Sequence, residues 1–149
     1  MKTKSWVKKV VFAGVILVII GAGVIWYIFS EKHEDTASVK ADYITEAIPF
    51  IKEFEKDIKA ANGKYADKII EVTGMVTESE AADTTINIKM ADTATGSYLI
   101  FAFQQQDLQQ AKTLKPGDKA TIKGSCGDGI FSEILGTYFI SFKRSTLLK

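Results

Sequence analysis

The chain has 149 residues, with 19 Lys and Arg against 18 Asp and Glu, one histidine and one cysteine. Charges this balanced and this interspersed leave no basic stripe of the kind that phosphate backbones demand, which argues against nucleic acid as the main partner. A single cysteine rules out an intrachain disulfide, and a single histidine rules out a metal site built from several histidines.

Residues 1–9 form a basic tail containing Lys2, Lys4, Lys8 and Lys9. Residues 10–29, Val10 to Phe29, are uncharged and apolar throughout. As a helix they would extend ~30 Å, the thickness of a bilayer's hydrocarbon core, and a helix satisfies its own backbone hydrogen bonds in lipid. The run is therefore expected to be a single transmembrane helix. Four lysines precede it, while Glu31, Lys32, His33, Glu34 and Asp35 follow it. That asymmetry predicts a single-pass protein of the inner (cytoplasmic) membrane, N-terminus in the cytoplasm and the rest extracytoplasmic. Trp6, Trp26 and Tyr27 fall near the ends, where amphipathic rings prefer the interface. The competing reading is a cleaved signal peptide, whose apolar region is about 7–15 residues and ends in small residues. Trp26-Tyr27-Ile28-Phe29 does not suit such a site, and no cysteine follows for lipid attachment. Gly14, Gly21 and Gly23 lack the GxxxG spacing of a helix-pairing face and read as incidental.

Residues 30–40 are polar and read as a tether. Residues 41–63 read as a helical segment. Phe50, Ile51, Phe54, Ile58 and Ala61 recur at helical spacing, with Glu53, Glu55, Lys56, Asp57 and Lys59 opposite. Pro49 is harmless only near a helix start, so the helix is expected to begin there, after a turn over Asp42–Ala47. Asn62-Gly63 is a stop signal.

Residues 64–149 carry five strand-like segments. Lys68–Thr77 alternates with Ile70, Val72, Gly74 and Val76 on one face. Thr84–Met90 turns Ile86, Ile88 and Met90 inward, with Thr85, Asn87 and Lys89 outward. After a turn over Asp92–Gly96, Ser97–Phe103 places Leu99, Phe101 and Phe103 inward. A short helix over Asp107–Leu114, capped by Asp107, and a turn at Pro116-Gly117-Asp118 follow. Lys119–Cys126 is the fourth strand, with Cys126 in step with Ile122 and hence buried. Gly127-Asp128-Gly129 reads as a break, and Glu133–Lys143 as the fifth strand, with Ile134, Tyr138, Ile140 and Phe142 on one side. Five antiparallel strands with a helix between the third and fourth describe a mainly β domain, a five-stranded OB-fold barrel with a preceding amphipathic helix. Closure would also remove the exposed sheet edges.

The stretch from Ala61 to Val76, with Tyr65, Lys68, Val72, Gly74 and Val76 at fixed spacing, resembles the opening of the bacterial tRNA anticodon-binding-like OB-fold family. So does Leu114-Lys115-Pro116-Gly117-Asp118-Lys119-Ala120-Thr121-Ile122-Lys123-Gly124-Ser125-Cys126. The resemblance covers roughly Asn62 to Ser141 and consists mostly of structural glycines and core positions. It implies an OB fold and a cell-envelope protein anchored by a lipid or a helix; it implies no catalytic residue. In many members the cysteine after Lys-Gly has a partner in the last strand. The resemblance places Tyr138 at that position, so the disulfide is absent here.

No enzyme signal emerges. Cys126 and His33 would have to meet across the whole domain, and Glu71, Glu78, Glu80, Asp83 and Glu133 have polar neighbours that favour solvation over acid–base work. Gly127-Asp128-Gly129 lacks the lysine and Ser/Thr of a phosphate loop. No cofactor and no metal are expected. The usual OB ligand surface is the outward face of strands 2 and 3 with the flanking loops. Here that surface offers Thr85, Asn87, Lys89, Tyr98 and Ile100, with Phe131 from the loop Asp128–Ser132 and the loop Glu78–Thr84 beside it. Tyr98 and Phe131 are the aromatics suited to stacking. The reading is a membrane-anchored, non-enzymatic OB binding module for a protein partner or envelope component. The alternatives are a binder of single-stranded nucleic acid or oligosaccharide through that face, and an accessory subunit of a membrane complex assembled through the anchor.

Overall fold

A computed structural model of the chain describes residues 3–30 and 35–148, in two compact units divided after Glu34. Lys2, the residues Glu31–Glu34 that include His33, and Lys149 lie outside the described residues.

The first unit is one helix, α1, Thr3–Ser30, longer than the apolar run at its centre. Its span Ser5–Phe29 is long and apolar enough, by length and composition, to cross a membrane. The helix fits a membrane anchor, and a signal sequence has the same character.

Among the described residues the buried apolar side chains belong to the second unit, which therefore holds a core of its own. It begins with a short strand, β1, Tyr43–Glu46, where a turn was expected. The reason is Asp42. Its N–H donates to the Ile69 carbonyl at 2.7 Å and its carboxylate accepts the Ile69 N–H at 2.9 Å, which lays the chain alongside the next strand. Helix α2, Ala47–Lys56, follows, with Pro49 in its first turn, where the missing N–H costs no helical bond. Phe50, Ile51 and Phe54 are fully buried, and each such side chain contributes about 1.5–3 kcal/mol. Asp57 breaks the helix in an extended conformation and caps α3, Ile58–Tyr65, by accepting the Ala60 N–H at 3.0 Å. The expected stop at Asn62-Gly63 is overridden, and α3 continues to Tyr65.

The strands are β2 (Ile69–Met75), β3 (Glu78–Ala81), β4 (Ile86–Ala91), β5 (Tyr98–Phe103), β6 (Lys119–Ser132) and β7 (Thr137–Leu147). Between β5 and β6 lie a 3-10 turn, Gln105–Asp107, and one turn of helix, α4, Leu108–Ala111. This is shorter than the helix expected over Asp107–Leu114. Asp107 holds the N-cap position as expected, but its side chain makes no capping bond; the carboxylate accepts from Gln104 Nε2 at 3.0 Å instead.

The sheet runs β1-β2-β6-β7-β5-β4-β3, with β1–β2 and β5–β7 parallel and the other pairs antiparallel. The fold is mainly sheet and OB-like. It differs from the expected five-stranded barrel in having seven strands in an open ladder that ends at β1 and β3. The extra strand β3 originates at Val76 and Thr77. There the chain leaves β6 and takes up β4, its N–H groups donating to the carbonyls of Asp118 at 2.8 Å and Lys89 at 2.9 Å. The segment Glu78–Ala81, expected as loop, is thereby strand. The inward residues of β2, β4 and β5 alternate as expected, with Ile70, Val72, Ile86, Ile88, Met90, Leu99 and Phe101 buried.

The last two strands carry the largest correction. Gly127-Asp128-Gly129 does not break β6; the strand passes through it with a register shift between Cys126 and Gly129. Gly129 donates its N–H to Asn62 Oδ1 at 2.7 Å and accepts from Asn62 Nδ2 at 3.0 Å. A Cβ here would overlap the Phe54 ring, so glycine lets α2 seat against the bulge. The turn falls at Ser132–Gly136 instead, where Gly136 adopts φ +65. Ile134, expected inward on a strand, sits in this turn and is 96 % exposed. Cys126 is buried as expected, but the residue opposite it is Phe142; Tyr138 lies opposite Phe131.

Candidate binding surface

Alternation along β4 and β5 sends Asn87, Lys89, Tyr98 and Ile100 to the outer face, all half-buried, with Lys89 directly opposite Ile100. Four of the six residues read from the sequence thus come together. Thr85 does not join them. It precedes β4, is exposed, and its carbonyl accepts the Ala82 N–H in the β3–β4 turn. Phe131 belongs to the other face of the β6–β7 hairpin, where its ring lies 4.8 Å from that of Tyr138.

Two residues complete the outer face in their place. Phe139 stacks on Tyr98, with ring centroids 5.9 Å apart and planes 17° from parallel. Ile130 pairs across from Phe139 and is exposed. The signal for Phe139 was present in the sequence. If Tyr138, Ile140 and Phe142 share one side of a strand, Phe139 and Ser141 must share the other.

Lys89 sits at the centre of this face. Its Nζ lies 2.8 Å from Glu80 Oε1 and 3.1 Å from Glu78 Oε2, both on β3, and 5.6 Å from the Tyr98 ring centroid. Hydrogen bonding to Glu80 raises the Lys89 pKa above its ordinary value, and burial opposes that shift. The same hydrogen bond, with Lys89's charge, holds the Glu80 carboxyl below its ordinary value. The lysine is therefore permanently charged at neutral pH but held between two carboxylates.

The hairpin end extends the apolar character of the surface. Ile130, Phe131, Ile134 and Leu135 are all exposed, and turns are normally built from polar residues and glycine. A separate concavity, a cleft of about 830 Å³, opens between α2, the β2–β3 junction and the β4–β5 turn. Among the described residues no three His, Cys, Asp or Glu side chains converge as metal ligands. The Cys126 thiol is pushed up to about 12, chiefly by burial and then by the charges of Asp128 and Asp67, which makes it a poor nucleophile.

The tRNA_anti-like family matches residues 1–134, and the chain belongs to that family. The match starts well before Asn62, so it takes in the apolar helix. Among solved structures, a candidate nucleic acid-binding lipoprotein from Klebsiella pneumoniae shares the fold at 19 % identity and a TM-score of 0.57, over 80 % of this chain and 100 % of that one. An OBody bound to hen egg-white lysozyme aligns at 14 % identity and a TM-score of 0.44, over 58 % of this chain and 86 % of that one. The aspartyl-tRNA synthetase of Entamoeba histolytica aligns at 8 % identity and a TM-score of 0.44, over 61 % of this chain and 20 % of that one. No protein of curated function matches the chain in sequence.

Proposed function

We propose that this is a membrane-anchored, non-enzymatic binding module of the inner membrane. In this reading its OB-like domain faces the extracytoplasmic side and takes a protein partner or envelope component on the outer face of β4, β5 and β7. The observation that carries the reading is the state of Lys89. The cation at the centre of the face is held by Glu78 and Glu80 over Tyr98, so what the surface offers there is Tyr98, Phe139, Ile100 and Ile130. Aromatic and aliphatic side chains around a satisfied ion pair suit a protein surface, where rings anchor buried contacts. A phosphate backbone needs free positive charge.

The second reading is single-stranded nucleic acid or oligosaccharide. The stacked, half-buried Tyr98–Phe139 pair supports it, because such rings can accept a base or sugar. Electrophoretic mobility shift with residues 35–149 and mixed-sequence single strands separates the two. The protein-partner reading predicts no retardation at micromolar concentrations. Tight retardation that weakens steeply with salt and is lost in Tyr98→Ala would establish the second reading in its place.

A further inference from the structure

The cleft on the second unit lies apart from this face, and none of Lys89, Tyr98, Ile100 or Phe139 lines it. At about 830 Å³ it has the volume of a site for a whole small molecule. Its floor forms where α2 meets the sheet. A Cβ on Gly74 would stand 2.6 Å from the Ala47 Cβ and 2.9 Å from Met90 Sδ, so the missing side chain lets helix and strand close up beneath the opening. At the mouth, Ile48 and Met75 leave apolar surface in water, Met75 at 55 % exposure. Methionine adapts its shape to flexible apolar ligands.

The rim carries Lys52 and Lys119, and neither has an ion-pair partner among the described residues. Two acids also line the opening. Asp92 is buried and its carboxylate accepts the Ala94 N–H at 2.9 Å, within its own turn. Glu46 is exposed, and its side chain does not cap α2. An apolar floor beneath two uncommitted lysines is complementary to a molecule with an apolar tail and a negative head.

We propose that this cleft binds an anionic amphiphile, its acyl chain entering past Ile48 and Met75 towards the floor at Met90 and its acidic head at Lys52 and Lys119. A carboxylate and a phosphate head share that chemistry. The inference does not rest on the protein-partner reading and can fail separately from it.

The test is calorimetric titration of residues 35–149, the unit with its own core, with three twelve-carbon probes below their micelle-forming concentrations. These are dodecanoate, dodecyl phosphate and dodecyltrimethylammonium. The expected result is saturable binding of at least one anionic probe, about tenfold or more tighter than the cationic one; the stronger of the two anions identifies the head. Ala94→Trp, which puts an indole at an exposed position of the cleft lining, should weaken binding while leaving the circular dichroism spectrum unchanged. The double variant Lys52→Gln/Lys119→Gln should erase the head-group preference, and Glu46→Gln should tighten anion binding. Equal affinity for all three probes, no saturable binding, or undiminished binding by folded Ala94→Trp would each overturn the proposal.

Discussion

Individual residues carry consequences that can be measured. Cys126 is the simplest case. Burial raises its thiol from an ordinary value of 9.0 to about 12, so the folded protein keeps the proton that the unfolded chain releases. The stability this gives is fully present below pH 9 and is lost as pH rises from about 9 towards 12. Between those limits wild-type stability should fall more steeply with pH than that of Cys126→Ala, measured by urea unfolding at several pH values; parallel curves would refute the assignment. The Asn62–Gly129 clamp is a second case. Asn62→Leu leaves both backbone groups of Gly129 without their partners, at a cost of about 1–3 kcal/mol. The same unfolding measurement should register that loss, and a change within about 0.5 kcal/mol would mean that the bulge holds itself. At Lys89 the expectation concerns charge. Glu78→Gln/Glu80→Gln releases the lysine, and a mobility-shift assay should show the variant holding single strands more tightly than the wild type does, in a salt-sensitive way.

At the scale of elements, the segment leading into the domain is held by a buried lysine. Lys123, on β6, donates from Nζ to the carbonyls of Ala37 at 3.0 Å and Val39 at 2.8 Å, and Gln104 Nε2 donates to Asp35 Oδ1 at 3.2 Å. Thr36, within the same segment, is buried. Charged donors to carbonyls contribute about 1.5–3 kcal/mol, and little apolar surface supports them. Lys123→Met should therefore leave the sheet intact and speed limited proteolysis within residues 35–41; unchanged cleavage there would show that the segment is held by other contacts. These elements also show what was legible in advance. Strict alternation exposed the inner faces of β2, β4 and β5 and the outer quartet Asn87, Lys89, Tyr98 and Ile100. Cys126 read as buried because it kept step with Ile122. What stayed hidden depended on partners distant in sequence. Tyr43–Glu46 is a strand only because the Asp42 carboxylate reaches Ile69. Two glycines around Asp128 look like a break, but the ladder to β7 and the clasp of Asn62, 67 positions away, on Gly129 keep them in β6. That single shift moved the hairpin turn, put Ile134 in solvent and placed Phe131 on the wrong face of the expected site.

For the whole molecule, an apolar helix and a self-contained OB-like domain form two compact units, to which the proposed reading gives two jobs, attachment and recognition. The family match spans residues 1–134, the helix and the domain through β6. The apolar run declared itself by length and composition alone. The ligand did not, because an OB-like sheet fixes where a partner docks and leaves its chemistry to a few outer side chains. In the proposed reading those are Tyr98, Phe139, Ile100 and Ile130 around the ion-paired Lys89. The most direct measurement places a photo-crosslinking amino acid at Phe139 in the full-length chain in native membranes, with Lys112 on the exposed surface as the control position. The account predicts a discrete adduct from position 139 that resists nuclease and is destroyed by protease, with none from position 112. A nuclease-sensitive adduct at position 139, or the same adducts from both positions, would contradict it.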